Sequence, residues 1–414
     1  MPLREFSTGP DGPGHPEQLS FDRLAPQVRR GLKELCKLDN FHGLLAIAFE
    51  YAVIALSVAL CVGVSYWFYP VALVLIGSTH RFLAHLLHES SHKTFARNSV
   101  LNVIGGTVLS GYLIFHLQGP YRNTHVGLHH RNLGDADLDP DYRFHIECGL
   151  YDHNRSSRAF VIREVFLSAI GLRTFSYLKY LFRERFWSNS SMPQISTPVP
   201  LRIERLILVA EWALIIGLCA WFGWLPELLL FWFVPLCTSG VAIGWLSELA
   251  EHYPMPEGES KRVLLTRNRH GRRWEQFLLS RHADRFHLVH HLNTGVPFWN
   301  LRHAHKVLLD DPGYAMWDGM WAGVFSRPAA RKDKETVISY AAKYREWRSA
   351  GGEPDVGPSF ATLMMITARS GEQPSAAQQS DEQASGVQPS SVLPFGKQPS
   401  DEQPPDDIDY RKAA

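Results

Sequence analysis

Cysteine is scarce in this sequence, and its residues do not have the spacing of a metal-cluster motif. The 414 residues include five cysteines, and no two of them have a Cys-x-x-Cys spacing. This pattern excludes an iron–sulfur motif and does not indicate a disulfide framework. Small buried hydrophobic residues are the simpler interpretation of isolated cysteines, so ligands for any metal must come from other residue types.

The two ends of the chain lack the composition of a folded domain. Residues 1–20 are rich in proline, glycine and charge and do not have the apolar core of a signal peptide. From about residue 351 the sequence is rich in Gln, Pro, Ser and acid and repeats Gln-Pro-Ser three times. Such a composition cannot bury enough apolar surface to order itself. We therefore expect a disordered arm at 1–20 and a disordered tail at 351–414, flanking a domain at 21–350.

Neither sign of charge dominates the chain as a whole, whose formal net charge is +1, but the distribution is uneven. The residues after 351 include ten acidic and four basic side chains, which leaves an excess of positive charge on the remainder. A basic body is typical of a membrane protein that faces the anionic cytoplasmic leaflet. A nucleic-acid partner is not predicted, because no nucleic-acid-binding motif is present.

Charge is almost missing from four long stretches, although the mean hydropathy of the whole chain is only −0.14. A helix needs about 20 apolar residues to cross a bilayer, so we predict four spans in two hairpins, at 43–64, 67–87, 206–224 and 228–247. Glu50 interrupts the first stretch, where an ionisable group is costly and often functional. Lys and Arg flank the inner ends of the hairpins and not their outer turns, so both termini are predicted to be cytoplasmic.

Histidine is the residue type that occurs in clusters along this sequence. Three short clusters read His88-Glu-Ser-Ser-His92, His125-Val-Gly-Leu-His129-His130 and His287-Leu-Val-His290-His291. Residues four apart lie on one face of a helix, so each cluster is predicted to aim two rings at one point. Neutral imidazole is a common ligand for zinc, copper, iron and nickel. Eight clustered imidazoles suggest two metals rather than one.

A further apolar stretch, 101–117, is short for a span and contains three glycines. As a fifth span it would place the first two histidine clusters on opposite sides of the membrane, where they could not share a site. We therefore predict that it is an interfacial or re-entrant segment. With four spans, all three clusters lie on the cytoplasmic side.

With these clusters and hairpins, the chain resembles the integral-membrane fatty acid desaturase/hydroxylase superfamily. That superfamily has three histidine boxes, of the forms HxxxH or HxxxxH, HxxHH or HxxxHH, and HxxHH, on four spans in two hairpins. The stretch 292–301 also looks like the family's sequence after its third box. The resemblance implies an all-α membrane protein with a cytoplasmic, helical, His-rich di-metal domain.

The resemblance also implies a set of site residues. The family takes a ninth histidine from the end of the fourth span, where this sequence has His252. Structurally described acyl-CoA desaturases place an Asn four residues earlier, which meets one metal through water; here that position is Glu248. Glu248 and Glu251 are the candidate catalytic carboxylates. The implied metal ligands are His88, His92, His125, His129, His130, His252, His287, His290 and His291. Ligand histidines need a partner for their other ring nitrogen, and the candidates are Glu89, Asp139, Asp141, Glu248, Glu251 and Asp284.

The implied activity is O2-dependent desaturation of a fatty-acyl or lipid-like substrate. Removing hydrogen from an unactivated C–H bond needs a redox cofactor, so two iron ions are expected rather than zinc, which is redox-inert. The chain has neither a ferredoxin cysteine pattern nor the His-Pro-Gly-Gly motif of a fused cytochrome b5. An external donor, a ferredoxin or a cytochrome b5-like protein, is therefore expected, in a bacterial inner membrane.

Several alternatives share these boxes. A hydroxylase or an alkene-forming decarboxylase of fatty acids or alkanes, a carotenoid-modifying enzyme, and a desaturase of a small specialised metabolite all remain open, and Glu248 argues for caution about ordinary acyl chains. A membrane metal transporter is the alternative without catalysis. Transporters place their ligands near the bilayer midplane, whereas these histidines are predicted at and beyond the cytoplasmic ends of the spans.

Overall fold

A computed structural model describes residues 19–187, 195–257 and 262–352. These residues are helical, with one isolated β-bridge and no strand among them, which confirms the predicted all-α class. The predicted disordered segments 1–20 and 351–414 fall almost entirely outside the described residues and stay predictions. The α-helices are α1 (Pro26–Leu35), α2 (His42–Gly63), α3 (Tyr69–Ser91), α4 (Ser99–Gly106), α5 (Gln118–Arg122), α6 (His130–Asn132), α7 (Pro140–Glu147), α8 (Ser157–Val161), α9 (Thr174–Leu181), α10 (Leu201–Phe222), α11 (Leu225–Leu228), α12 (Val234–Cys237), α13 (Ser239–His252), α14 (Arg273–Leu279), α15 (His287–Leu292), α16 (Leu301–Leu308), α17 (Pro312–Gly319) and α18 (Val337–Ser349).

Shorter helical turns complete the secondary structure. Four segments are π-helices: Asn123–His129, Ile162–Leu167, Phe182–Trp187 and Leu229–Phe233. Single 3-10 turns lie at Phe21–Arg23, Tyr66–Phe68, Gly111–Ile114, Met255–Glu257, Arg262–Leu265, Phe298–Asn300 and Ala329–Arg331.

Four helices are long and apolar enough to cross a membrane: His42–Gly63, Tyr66–Ser91, Leu201–Phe222 and Leu225–His252. A helix of suitable length and composition is therefore present at each of the four predicted positions, and the second and fourth helices run further than predicted, past 87 and 247. The extra turns carry the first histidine cluster and His252. His88 and His252 are buried inside the protein.

The second span lies at the centre of the helical bundle. In its most apolar window 61% of the residues are buried inside the protein, compared with 11% for the third span. It packs against α2, α4 and α13. A Cβ placed on Gly77 would lie 2.6 Å from the backbone nitrogen of Gly240, so the absence of a side chain there lets α3 and α13 approach closely. This approach holds the histidines at the ends of both helices near one another.

The stretch predicted to be interfacial or re-entrant does not form a straight span. The helical segments Ser99–Ile114 and Gln118–Asn132 meet at an angle of 99°. Phe115, between them, has a positive φ of 61°, a backbone conformation that breaks a helix. The chain turns back at this point and brings the second histidine cluster to the first.

Glu50 is fully buried and has two basic partners. Its carboxylate lies 2.8 Å from Arg281 Nη2 and 2.7 Å from His282 Nε2. These partners belong to the loop between α14 and α15, so the ion pair ties the first span to the segment that precedes the third histidine cluster. A structural role explains the ionisable group in this span.

Replacing Glu50 with alanine is expected to destabilise the protein by about 3–5 kcal/mol, because it leaves the buried Arg281 without its counter-ion. The measurement is the midpoint of thermal or denaturant unfolding in detergent. Glu34→Ala is the control, since Glu34 forms only an exposed pair with Lys37, and its midpoint should match that of the wild type. An unchanged midpoint for Glu50→Ala would contradict the structural role.

Candidate metal centre

The structure brings all nine predicted histidine ligands together. The first cluster ends α3, the second occupies the π-helix Asn123–His129 and the start of α6, and the third lies on α15. His252 is the last residue of α13. Segments separated by as many as 202 residues therefore meet, as the pair His88 and His290 illustrates. The nine rings divide into two groups.

The first group has five histidines, whose candidate ligand nitrogens all lie within 4.8 Å of one another: His88, His92, His125, His130 and His290. The Nε2 atom of His290 lies 3.0 Å from that of His88 and 3.1 Å from that of His130. The Nε2 atoms of His125 and His130 are 3.0 Å apart. All three clusters contribute to this group, so it closes only in the folded chain.

The second group is formed by His129, His252, His287 and His291. Candidate ligand nitrogens of His129, His252 and His291 lie within 4.8 Å of one another. His287 joins them through its Nε2 atom, which is 3.1 Å from Nε2 of His252 and 3.1 Å from Nε2 of His291. This group has one donor fewer than the first.

The predicted pairing of His125 with His129 is present, since candidate ligand atoms of both, with one of Asp141, lie within 4.8 Å of one another, but it is not the closest contact of His125. A π-helix has a wider turn than an α-helix, and His125 sets its Nε2 against that of His130, five residues on. His129 turns to the second group, where its ring lies 5.0 Å from that of His252. The spacing of His88 with His92 and of His287 with His291 holds as predicted, since each pair stays within one group.

The hydrogen bonds of two ligand histidines indicate which of their ring nitrogens carries the proton. His252 Nδ1 lies 3.0 Å from the Leu265 carbonyl oxygen, which can only accept, so Nδ1 carries the proton and Nε2 a lone pair. His129 Nδ1 makes the same kind of bond to Asp139 at 3.0 Å. His92 Nε2 is buried without any hydrogen-bond partner. Imidazole nitrogens that converge in this way form a donor set that fits one metal ion in each group.

Burial keeps the third cluster in the form that binds metal. Removal from water lowers the pKa of His287, His290 and His291 well below the ordinary value, and the neighbouring histidines add to the effect. These imidazoles are neutral at physiological pH. Their lone pairs are therefore available without competition from protons.

Predicted carboxylate partners are found beside two of the ligands. Asp139 and Asp141 lie 3.0 and 3.5 Å from His129 Nδ1, and Glu89 lies 3.3 Å from His88 Nδ1. Asp284 does not contact a ligand; it holds Nδ1 of His85 at 3.1 Å. These contacts orient the rings from behind, as ligand histidines require.

The two candidate catalytic carboxylates occupy different surroundings. Glu251 accepts hydrogen bonds from Arg81 and Arg269, at 3.2 Å each, and its second oxygen is 3.7 Å from His287 Nε2. Glu248 accepts a hydrogen bond from the Tyr177 hydroxyl at 2.7 Å and belongs to neither histidine group. Their catalytic roles stay predictions.

Sequence reasoning named Glu251 and Asp284 behind the centre but missed the two arginines that pair with them. Arg81, Arg269, Glu251 and Asp284 form one connected set of ion pairs, with nitrogen–oxygen distances of 2.7 to 3.5 Å. Positions 81, 85, 88 and 92 repeat at helical spacing, a pattern that could have drawn attention to Arg81. No sequence pattern predicts a role for Arg269 or Tyr177, because each comes close to the centre only through tertiary packing.

A separate group of potential ligands, His270, His305 and Asp318, lies elsewhere in the described chain. Asp318 already accepts hydrogen bonds from Asn268, His270 and Arg331 at 2.7 to 2.8 Å. Both of its oxygens are thereby satisfied. The group is explained as a buried hydrogen-bond network and does not need a metal.

Comparison with known proteins gives consistent results. A model of the fatty acid desaturase family matches residues 64–319, which include every histidine of both groups. A dihydrorhizobitoxine desaturase from Bradyrhizobium elkanii is 38% identical over 309 residues, which cover 75% of this chain and 86% of that protein. A chloroplastic omega-6 fatty acid desaturase from Glycine max is 22% identical over 326 residues, 74% of this chain and 72% of that protein.

Proposed function

We propose that this chain, which belongs to the fatty acid desaturase family, is a membrane desaturase that works with two iron ions. Family membership and the 38% identical relative make it an oxidoreductase of the desaturase type. The observation that carries the iron proposal is the pair of buried groups in which imidazole Nε2 atoms face one another. A single structural zinc would need only one set of ligands, whereas this protein has two.

The five histidines of the first group would hold one ion and the four of the second group the other. When bound, two irons supply the redox chemistry for reducing O2, which side chains alone do not provide. In the overall reaction a CH2–CH2 unit becomes CH=CH and O2 becomes two molecules of water. Two of the four electrons come from the substrate, with its two hydrogens, and two come with two protons from an external donor.

The chain's own residues would hold and shield the centre. Asp139 and the Leu265 carbonyl fix the tautomers and orientations of His129 and His252, and Glu89 lies 3.3 Å from Nδ1 of His88. Behind the second group, Glu251 and Asp284 form ion pairs with Arg269. The buried arginine therefore has counter-ions, which lowers the cost of burying its charge. Burial of the rings excludes bulk water, which protects a reactive oxidant from side reactions.

For the membrane arrangement, we propose two hairpins with both termini and the metal centre on the cytoplasmic side of a bacterial inner membrane. The turns at 63–69 and 222–227 contain no Lys or Arg, whereas the opposite ends of the helices are basic. Electrons would come from a ferredoxin or a cytochrome b5-like protein. The basic cytoplasmic face suits such an acidic donor.

Two substrate classes have specific support. A small specialised metabolite is favoured, because the 38% identical relative is by name a dihydrorhizobitoxine desaturase and Glu248 introduces a carboxylate that an acyl chain would not need. A fatty-acyl or other lipid-like substrate is the second candidate, supported by the 22% identical omega-6 relative.

The test is expression in a bacterial host with product analysis by mass spectrometry, with either dihydrorhizobitoxine or fatty acids supplied. We expect a product two hydrogens lighter than its precursor, together with iron in the purified protein. A gain of one oxygen would indicate hydroxylation, and a loss of CO2 decarboxylation. Zinc at full occupancy in an active sample would contradict the iron proposal, and metal flux in vesicles without O2 consumption would favour a transporter.

A further inference from the structure

The segment 157–187 exposes large apolar side chains, although it does not belong to any of the four helices that could cross a membrane. It consists of α8, α9 and two π-helices with their connection. Phe175 and Ile170 are 87% and 81% exposed. Among the large hydrophobic residues of the described chain, only Trp67 and Trp221, at the outer turns of the hairpins, are exposed to a similar extent. The exposed apolar set of the segment is Ile162, Phe166, Ile170, Phe175, Phe182 and Trp187. Such a set marks a surface that another molecule or lipid covers.

Several charged side chains of the same segment are buried inside the protein. Glu164 and Arg173 are buried and pair with each other, with Arg173 Nη2 2.6 Å from Glu164 Oε1. The Arg173 guanidinium also lies 4.6 Å from the centroid of the Trp245 ring in α13. Arg185 is buried as well, and its Nη2 atom is 3.0 Å from Asp141 Oδ1. A segment that faces water has the reverse arrangement, with charged groups outside and apolar groups inside. Apolar groups outside and ion pairs inside fit an apolar solvent.

Two contacts hold the segment against the third and fourth spans. Thr174 Oγ1 donates a hydrogen bond of 3.0 Å to the carbonyl oxygen of Cys237, which is the last residue of α12 and lies near the middle of the fourth span. At the end of the segment, Arg205 of the third span donates to the Trp187 carbonyl at 2.6 Å, and its guanidinium lies 4.9 Å from the centroid of the Trp187 ring. The third span is the least buried of the four. The segment therefore borders helix surfaces that are suited to lipid.

The exposed charge of the segment has one sign. Its only acids, Glu164 and Glu184, are buried. The exposed basic side chains are those of Arg158, Lys179 and Arg183. Lys179 follows Phe175 by four residues and lies on the same face of α9. Exposed apolar side chains beside Lys and Arg are typical of a segment that lies in a membrane interface and binds acidic headgroups. A two-fold interface between copies of this chain would instead bring the same basic side chains together.

We propose that the segment 157–187 lies in the interface of the cytoplasmic leaflet, with its exposed apolar set among acyl chains and its exposed basic side chains on acidic phospholipid headgroups. The inference rests on the proposed membrane arrangement and goes beyond the proposed reaction, since it holds for any substrate. It adds a membrane contact outside the four spans. Through Arg185 and Asp141 the segment also reaches His129 of the second histidine group, so this lipid contact would lie behind the metal centre.

The test is photo-cross-linking of the full-length protein in nanodiscs made of equal parts phosphatidylglycerol and phosphatidylcholine. The cross-linking amino acid p-benzoylphenylalanine replaces Phe175 or, separately, Ile170, and mass spectrometry of the irradiated protein measures the adducts. Both positions are highly exposed, so the replacement should not disturb the fold. We expect a gain of the mass of one phospholipid. Leu218, an exposed residue of the third span, is the positive control position. Leu309, an exposed leucine beside the exposed Asp310, is the matched negative control position.

The masses of the adducts also identify the headgroup. At position 175 we expect phosphatidylglycerol to exceed phosphatidylcholine by about threefold to fivefold, because one Lys or Arg near an acidic surface contributes about a factor of five in affinity. The Lys179→Gln substitution, added to the protein with the cross-linker at 175, should keep the adduct and move this ratio toward one. Lys306→Gln is the matched control, because Lys306 is an exposed lysine of α16, outside the segment, and it should leave the ratio unchanged.

The inference is overturned if positions 175 and 170 give no phospholipid adduct while Leu218 gives one. A covalent dimer in place of the lipid adduct would also overturn it, because a second copy of the chain would then cover the exposed apolar set. Equal amounts of the two headgroups, or an excess that Lys179→Gln leaves unchanged, would overturn the assignment of acidic headgroups. Failure of the proposed membrane arrangement is separable, since it would appear as absence of the adduct at Leu218. Failure of the proposed reaction would leave all of these masses unchanged.

Discussion

If the proposed di-iron centre is correct, replacing His291 with alanine is expected to remove one of its two metal ions and to abolish desaturation. His291 is one of four rings in the second group, and its Nε2 atom lies 3.1 Å from that of His287. Its pKa is lowered by burial, so no proton competes with a metal at this position. Loss of a direct ligand should weaken binding by more than the roughly 10- to 100-fold that loss of a ligand's hydrogen-bond partner costs.

The measurement is the ratio of iron to protein after purification, which should fall from about two to about one, together with product formation in the expressing host. His303→Ala is the control, since His303 is an exposed histidine on α16. Two ions and wild-type product in His291→Ala would refute the assignment of the second group.

The neighbouring residue makes this test sharper. His290 precedes His291 directly but belongs to the first group, with its Nε2 atom 3.0 Å from that of His88. His290→Ala should therefore lose the other ion, and the double variant should retain neither. If the two histidines served a single ion, either variant would give the same metal content as the double variant.

The sequence was informative where spacing along one helix determines geometry. The four apolar stretches and the i and i+4 pairs at 88 and 92 and at 287 and 291 follow from local periodicity, whereas His252 was identified through the family resemblance. The second cluster departs from this rule, because its backbone is a π-helix. Sequence periodicity assumes 3.6 residues per turn, and the wider turn places His129 and His130 in different histidine groups.

Contacts between distant segments could not be predicted in the same way. The pairing of Glu50 with Arg281, of Glu248 with Tyr177, and of Arg81 with Glu251 joins residues 71 to 231 positions apart. Such pairs have no local signature, since each partner is an ordinary charged or polar residue in its own helix or loop. Glu248 attracted attention only because the resembling family has a neutral residue there, and its partners became known only from the structure.

Asp139 gives the second large expected effect. Its carboxylate accepts a hydrogen bond from His129 Nδ1 at 3.0 Å, and it also begins α7 by accepting from the backbone N–H groups of Asp141 and Tyr142. Asn is as good a helix N-cap as Asp, so Asp139→Asn should leave α7 intact. It removes the negative charge that makes His129 a stronger ligand.

Asp139→Asn is therefore expected to weaken metal binding at the second group by roughly 10- to 100-fold, with a stability close to that of the wild type. Asp141 cannot take over fully, because it is 3.5 Å from His129 Nδ1 and is already paired with Arg185. Competition with a chelator of known affinity measures the effect, with Asp137→Asn, at an exposed position two residues earlier, as the control. Because the first group has no contact with Asp139, its ion should be released at the wild-type chelator concentration. Equal weakening of both ions would mean that Asp139 supports the fold rather than His129.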